Sequence, residues 1–205
     1  MALRIGILLY DGFDLIDSGG PYEAFLTASR LAERDGEAPL YEVMLISPQG
    51  SDVTAFGGMT VTGTVPASDA GVLHTLIVPG LVDIEAARHD PAIGAAVASL
   101  AAAATVVASV CTGAFLLSDQ GLLEGLPATT HWEDVDLLQG EKRISVGVTG
   151  VRWVDNGAVV TSGGLTSGIH MALHLIARDC GLAVAQRTAR QLDLDWDPDG
   201  VRSVR

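Results

Sequence analysis

Residues 108–117 read ASVCTGAFLL and place Cys111 between a β-branched run and a Thr-Gly pair. The run ATVVASV at 104–110 predicts a buried strand, and TGAFLLSDQG at 112–121 predicts a helix. A cysteine at such a turn faces the positive end of the helix dipole, which lowers the pKa of the thiol and favours the nucleophilic thiolate. Free cysteine is also among the most buried residue types, so these residues alone leave a nucleophile and an inert thiol as equal alternatives.

The same alternation of short apolar runs and helical segments continues in both directions along the chain. Pro21 is expected at the first position of its helix, and the polar end of the chain (195–205) is expected to be frayed. Continuous apolar strands that alternate with helices predict a mostly parallel sheet covered on both faces, within one α/β domain over residues 1–205. The further predicted strands are 4–10, 41–47 and 74–80, and the further helices are 20–34, 90–103, 165–181 and 184–197. A hairpin is predicted at 150–164, and a small hairpin or an edge excursion at 57–69.

Composition and charge exclude several classes of function. The 205 residues are 48% hydrophobic and carry a formal net charge of −13, which argues against nucleic acid or an anionic membrane as a partner. Cys111 and Cys180 match neither a disulfide scaffold nor a metal-ligand spacing, so we expect a reducing cytoplasm and no metal. The uncharged stretch from Ala92 to Ser118 reads as helix, strand and helix rather than a membrane span.

Candidate site residues follow the predicted strands, because sites in open α/β sheets lie beyond the carboxyl ends of the strands. The amides of Gly80 and Leu81, after the run LIV, could form an oxyanion hole. Asp14, Asp17 and Glu23 could exchange protons with a thiol, or could only complement a helix N-terminus.

Histidines offer a second possible partner for the thiol. His131, in ATTHWEDV, could act as the base of a Cys–His pair, as could His170 and His174 in GIHMALH. Each of them, read alone, is more often a satisfied core or surface side chain.

Together these segments resemble the DJ-1/PfpI (ThiJ/PfpI) superfamily over nearly the whole chain. The resemblance is carried by RIGILLYDGFD, GGPYEAF, LIVPG, ASVCTGAFLLSDQGLLEG, ATTHW and TSGGLTSGIHMALHLIA. The elbow followed by GLLEG and ATTHW is similar to the branch of isonitrile hydratases and of the N-terminal domains of AraC-type regulators. This resemblance implies a flavodoxin-like three-layer α/β sandwich, like that of class I glutamine amidotransferases, a homodimer, and no cofactor.

The resemblance also implies roles for individual residues. Cys111 would be the nucleophile, and Asp17 matches the aspartate that isonitrile hydratases use beside it. Glu23 would be the acidic residue that hydrogen-bonds the cysteine in the DJ-1 branch. The supporting or substrate-binding positions would be Thr112, Gly80 with Leu81 facing the developing negative charge, Gly20 in the GGP stretch, and His131.

Three departures from the family pattern bear on function. Thr112 follows the cysteine where protease-like and deglycase-like branches have histidine, which counts against a Cys–His hydrolase. The family's PGG is PGL here, which implies a narrower oxyanion hole. His170 stands where relatives of this branch commonly have Asp, so any role of that acid is lost or altered.

The leading hypothesis is a cysteine-dependent enzyme that resembles isonitrile hydratase and acts on a small molecule. The alternative is a non-enzymatic redox or metabolite sensor of the DJ-1 type, in which the Cys111 thiol reports oxidation or a ligand. A glyoxalase, deglycase or amidase activity is a third hypothesis and needs a base such as His131 near the thiol.

Overall fold

A seven-stranded sheet forms the centre of the computed structural model, which describes residues 1–141 and 143–201. Its strand order is β10-β11-β7-β6-β1-β2-β5, and every neighbouring pair is parallel except the antiparallel pair β10–β11. The short strands β3 and β4 pair with each other, as do β8 and β9. The strands are β1 (Leu3–Leu8), β2 (Tyr41–Ser47), β3 (Val53–Thr54), β4 (Thr60–Val61), β5 (Val65–Pro66), β6 (Leu73–Val78), β7 (Ala104–Val110), β8 (Pro127–Ala128), β9 (Val146–Gly147), β10 (Trp153–Asp155) and β11 (Val159–Ser162).

Two groups of helices cover the sheet and make the three-layer α/β fold that the sequence predicts. Helices α1, α6 and α7 pack on one another, and α2, α3 and α4 form the second group. Because both faces are covered, the central strands β1, β6 and β7 are buried over most of their length rather than in alternation. The helices are α1 (Leu15–Arg34), α2 (Ile84–Arg88), α3 (Pro91–Ala102), α4 (Gly113–Asp119), α5 (Val135–Gly140), α6 (Thr166–Cys180) and α7 (Leu182–Gln191).

The parallel arrangement brings four strand ends to one edge of the sheet. Strand β1 pairs with β6, β6 with β7, and β7 with β11, so that Val78 lies beside Ser109 and Val110 beside Ser162. The residues that follow these strands therefore meet at the carboxyl edge, where a site is expected in such a sheet.

Helix α1 begins five residues earlier than the sequence predicts. It begins at Leu15 and contains Pro21 in its interior, so the expectation that Pro21 occupies the first helical position is wrong. The Pro21 ring lacks the N–H that would bond the carbonyl of Asp17, a loss that interior proline imposes on a helix. Close packing accompanies this loss, because a Cβ on neighbouring Gly20 would lie only 2.6 Å from Ile169 of α6.

Other boundaries differ from the sequence-based ones. The hairpin expected within 57–69 does not form: β4 pairs with β3, which precedes that segment, and β5 adds a parallel edge strand to β2. Helix α7 ends at Gln191, short of the expected 197, and the chain then packs back onto the fold. The Trp196 indole N–H donates to the carbonyl of His170 (3.1 Å), and Val201 pairs with Val151. The segment 195–201 is therefore not frayed, and 202–205 lie outside the described residues.

The uncharged stretch at 92–118 forms α3, β7 and α4, as expected. Within the described ranges, the chain contains no helix of sufficient length and apolarity to traverse a bilayer.

Candidate active site

Cys111 occupies a sharp turn between β7 and α4. Its backbone φ is +57°, a left-handed conformation that non-glycine residues seldom adopt and that marks strain. Its N–H donates to the carbonyls of Ser162 (3.1 Å) and Gly163 (3.3 Å), and its own carbonyl accepts from the Thr130 hydroxyl (2.7 Å). These bonds hold the thiol at the carboxyl edge of the sheet in a fixed orientation.

Glycine at position 113 lets the turn pack directly against the neighbouring strand end. A Cβ on Gly113 would lie 2.3 Å from the carbonyl oxygen of Val78, a distance that no side chain can adopt. A Cβ on Gly80 would similarly lie 2.9 Å from the Cβ of Cys111. The elbow and the Pro79-Gly80 turn are therefore in contact through their backbones.

Asp17 is the buried partner of the thiol. Its carboxylate accepts hydrogen bonds from the backbone N–H groups of Leu165 (2.9 Å) and Gly80 (3.1 Å), and it also hydrogen-bonds the Cys111 thiol. Burial raises the pKa of Asp17 to about 6, and the nearby charge of Asp14 adds to the increase, while these hydrogen bonds oppose it. Asp17 can therefore exist in both protonation states near neutral pH.

Burial also determines the state of Cys111, whose side chain is only 5% exposed. Its pKa is raised, first by desolvation and next by the negative charge of Asp17, whereas the Thr112 backbone N–H lowers it. The expectation that the helix N-terminus lowers the pKa of this thiol is therefore wrong, because burial and Asp17 outweigh the short helix α4. At rest the thiol keeps its proton, and Asp17 is placed to accept it.

The amides expected to form an oxyanion hole already have partners within the protein. The Gly80 N–H donates to Asp17, and the Leu81 N–H donates to the Thr112 hydroxyl (3.0 Å). That hydroxyl in turn donates to the Leu81 carbonyl (2.9 Å). Thr112 thus stabilises the turn at Leu81 through two hydrogen bonds. The expectation that the Gly80 and Leu81 amides are free to face a substrate is wrong.

His131 lies at the mouth of the same site. It lines a cavity of about 300 Å³ together with Cys111, Thr112 and Leu81. Gly164 separates the imidazole from the thiol, since a Cβ there would lie 2.4 Å from His131 Cδ2 and 3.1 Å from Cys111 Sγ. His131 Nδ1 instead faces two carboxylates, Glu133 Oε2 and Asp134 Oδ2, each 3.6 Å away. These carboxylates and Asp14 also line the cavity.

Glu23 does not reach the cysteine. It lies on the exposed side of α1, where its carboxylate accepts from the Thr27 hydroxyl (3.1 Å). Because α1 begins at Leu15, the first turn of the helix carries Asp17 to the thiol and turns Glu23 away. The hydrogen bond expected for Glu23 is made by Asp17, and Gly20 contacts α6 rather than the cavity.

Residues without a strong sequence signal complete the site. Tyr10, just after β1, is fully buried and donates its hydroxyl hydrogen bond to the Pro79 carbonyl. Burial, followed by the charges of Asp17 and Cys111, raises the pKa of Tyr10. Leu165 adopts φ +55° and supplies an amide to Asp17, and only its position after the TSGG segment pointed to the site.

Two other sequence candidates lie outside the cavity. His170 is buried on α6, where desolvation and then the charge of Arg152 lower its pKa to about 4, so it is neutral. Cys180, half-buried at the end of α6, lies 3.4 Å from the Tyr41 hydroxyl, and both cysteines are free. Across the residues described, no cluster of three or more His, Cys, Asp or Glu side chains could hold a metal ion.

Comparison with known proteins places this geometry in a family. The model of the DJ-1/PfpI family matches residues 3–178. The isonitrile hydratase of Pseudomonas putida is 35% identical over 198 residues, which cover 97% of this chain and 80% of that protein. The HTH-type transcriptional regulator GbdR of Pseudomonas aeruginosa is 31% identical over 178 residues, covering 86% of this chain and 47% of the regulator.

A solved structure agrees with these relatives. A THiJ/PfpI family protein from Pseudomonas syringae superimposes with a TM-score of 0.83 at 26% identity, covering 97% of this chain and 77% of that one. The chain spans about half the length of the regulator and most of the length of the hydratase. With a family model matched over most of its length, the chain belongs to the DJ-1/PfpI family.

Proposed function

We propose that this protein is a cysteine-dependent hydratase that converts an isonitrile and water into an N-substituted formamide. The observation that carries the proposal is the placement of the buried Asp17 carboxylate beside Cys111 at the strained elbow. Two backbone amides fix the Asp17 carboxylate in place, and burial brings its pKa to about 6. A group with a pKa near the working pH can both accept and return a proton, which is what hydration of an isonitrile requires.

In the first step the Cys111 sulfur adds to the terminal carbon of the isonitrile. Asp17 accepts the thiol proton as the S–C bond forms and then delivers it to that carbon. The product is a thioimidate, Cys–S–CH=N–R, in which one N–C π bond has been replaced by the S–C and C–H bonds. Because the pKa of Cys111 is raised, the thiol proton must pass to Asp17 as the S–C bond forms, so that Asp17 acts as the adjacent base that activates the nucleophile.

In the second step water adds to the thioimidate carbon. Asp17, again ionised, accepts a proton from that water and passes it to the imine nitrogen, which leaves a hydroxyl group on the carbon. The tetrahedral adduct then collapses: the C–S bond breaks as the C=O bond forms, Asp17 relays the hydroxyl proton to the Cys111 sulfur, and the formamide is released. Dividing the hydration into two steps replaces one difficult addition with two easier ones.

The test is formation of an N-substituted formamide from pentyl isonitrile, followed by NMR. We expect turnover by the native protein and none by Cys111→Ala. Activity of the native protein no higher than that of Cys111→Ala would refute the assignment.

A second candidate is a metabolite sensor, which the similarity to GbdR favours. It predicts that a small molecule binds the Cys111 cavity with a measurable Kd and leaves chemically unchanged. Redox sensing has less support, because the thiol is buried and its pKa is raised rather than lowered. Selective oxidation of Cys111 by mild peroxide, measured by mass spectrometry without any turnover, would favour it.

Glyoxalase, deglycase or amidase chemistry has the weakest support, since it needs a base beside the thiol. Among the contacts of the described residues, His131 pairs with Glu133 and Asp134 and makes no hydrogen bond to Cys111. Such an activity predicts that His131→Ala abolishes turnover of methylglyoxal or a model amide.

We further propose that the protein forms a homodimer, and sedimentation equilibrium would measure its molar mass in solution.

A further inference from the structure

Among the residues that the structure describes, three carboxylates and no basic side chain other than histidine line the Cys111 cavity. Asp14, Glu133 and Asp134 line it, and none of the described lining residues is lysine or arginine. His131 is the one lining residue that can become a cation, and it is shared between Glu133 and Asp134. Even with His131 protonated, the side chains around the opening carry a net negative charge.

The carboxylates also differ in their exposure to solvent. Glu133 is mostly exposed and Asp134 about one-third exposed, so both lie at the entrance, where they act on an approaching ligand. Asp14 is half-buried, and burial raises its pKa while His131 opposes the increase. A ligand that enters the cavity therefore passes the carboxyl groups of three residues.

The remaining walls are apolar and fit a hydrocarbon substituent. Leu81, Val82 and Leu165 line the cavity, and Val82 and Leu165 leave much of their side chains exposed at its edge. An anionic group inside would lose water without gaining a cationic partner, whereas an aliphatic or cationic group would not meet this cost.

Building on the proposed function, we propose that this cavity selects isonitriles with uncharged or cationic aliphatic substituents and rejects those that carry a carboxylate. Selection arises from repulsion at the entrance by Glu133 and Asp134, which also hold His131, and from the lack of lysine or arginine among the described lining residues. It concerns access to Cys111 and is separate from the chemistry of the sulfur.

Thiol labelling tests this selection without any isonitrile. Two methanethiosulfonates of similar size are compared, one ending in trimethylammonium and one in sulfonate, and each transfers its alkylthio group to sulfur with loss of methanesulfinate. Modification of the Cys111 peptide is followed by mass spectrometry and normalised to the rate with 2-mercaptoethanol. We expect the cationic reagent to react about tenfold faster or more at low salt, with the ratio falling as ionic strength rises.

The double variant Glu133→Gln with Asp134→Asn should reduce this ratio by severalfold, and the matched control Glu124→Gln, on an exposed loop, should leave it unchanged. Equal normalised rates for the two reagents in the native protein, or an unchanged ratio in the double variant, would overturn the selection.

Turnover provides a second measurement. Pentyl isonitrile is compared with analogues that carry a terminal trimethylammonium or a terminal carboxylate. We expect kcat/KM for the carboxylate to be at least tenfold below that for the neutral compound. If the neutral compound does not react, the hydratase proposal fails and the labelling ratio alone decides the selection. If the neutral and carboxylate compounds react equally well, the selection fails and the hydratase proposal stands.

Discussion

The two cysteines lie at opposite ends of the same sheet and differ in nearly every contact. Cys111 follows the carboxyl end of β7, in a left-handed backbone conformation, with Asp17 hydrogen-bonded to its sulfur. Cys180 ends α6 and lines an apolar cavity of about 510 Å³ with Leu3 and Leu40, which lie where β1 and β2 begin. Among the described residues, the Tyr41 hydroxyl is the one polar group that the Cys180 sulfur contacts.

The comparison shows that burial alone does not mark Cys111 as the candidate nucleophile. Cys111 is the more buried of the two. What distinguishes it is a carboxyl group with a pKa near neutrality, held by two backbone amides and touching the sulfur. A thiol with such a partner can lose its proton during reaction while remaining neutral at rest.

Removing each thiol in turn gives the largest expected difference. Cys111→Ala should lower formamide formation by on the order of a thousandfold or more, because it deletes the nucleophile. Cys180→Ala should retain nearly native kcat, since this thiol lies at the other end of the sheet. Both rates are measured by NMR with pentyl isonitrile. A comparable loss in both variants would contradict the separation of roles.

Replacing the acid should separate activity from thiol ionisation. Asp17→Asn should lower kcat by about a hundredfold to a thousandfold, because proton transfer to the isonitrile carbon is lost. The same change should lower the pKa of Cys111, because it removes the negative charge that opposes ionisation above pH 6. Iodoacetamide should then label Cys111 faster than in the native protein at pH 7.5, as counted by peptide mass spectrometry.

Labelling of Cys180 in the same samples is the internal control and should not change. Slower labelling of Cys111 in Asp17→Asn would mean that the native carboxylate promotes ionisation of the thiol, which the geometry argues against. Unchanged kcat would remove Asp17 from the mechanism.

The sequence identified Cys111 as the candidate nucleophile but not the state of its proton. The alternation of strands and helices around Cys111 follows from local pattern, and the elbow is located by the junction of β7 and α4. The pKa of Cys111, however, depends on how deeply the folded chain buries it and on the approach of Asp17, which is 94 positions away along the chain. Neither quantity is local.

The same limit explains why Asp17 contacts the thiol as expected while Glu23 does not. Starting the helix at Pro21 would put Glu23 in its first turn, close to the strand ends, whereas the helix begins at Leu15 and puts Asp17 there. The preference of proline for a first turn is real but weaker than tertiary packing. The amides of Gly80 and Leu81 were likewise assigned from a turn pattern that could not show their partners.

The raised pKa of the buried Asp17 should also make the free energy of unfolding depend on pH. The pKa of Asp17 is about 6 in the folded protein and ~3.9 in an unfolded chain, so its proton stabilises the fold. This contribution is present below about pH 4 and is lost as pH rises through 6, amounting to about 3 kcal/mol. The free energy of unfolding, measured with urea, should increase for Asp17→Asn relative to the native protein by up to that amount as the pH rises from 4 to 7.

The exposed Asp136→Asn provides the control and should follow the native protein across this range. If the difference in unfolding free energy between the native protein and Asp17→Asn stays constant from pH 4 to pH 7, Asp17 has an ordinary pKa. Proton exchange with Cys111 would then lose its basis.

The smallest effect concerns the spacer between the thiol and the imidazole. Gly164→Ala places a methyl group 2.4 Å from His131 Cδ2 and 3.1 Å from Cys111 Sγ, so the imidazole must move outward and the cavity narrows. We expect kcat/KM for pentyl isonitrile to fall by about tenfold, on the scale of displaced active-site groups, while labelling of Cys180 stays the same. Gly140→Ala, where a Cβ meets nothing within 4 Å, is the matched control and should keep native kcat/KM. If Gly164→Ala instead reacts at the native rate, the space beside the sulfur is not where the substrate lies, and the comparison of the two cysteines would rest on Asp17 alone.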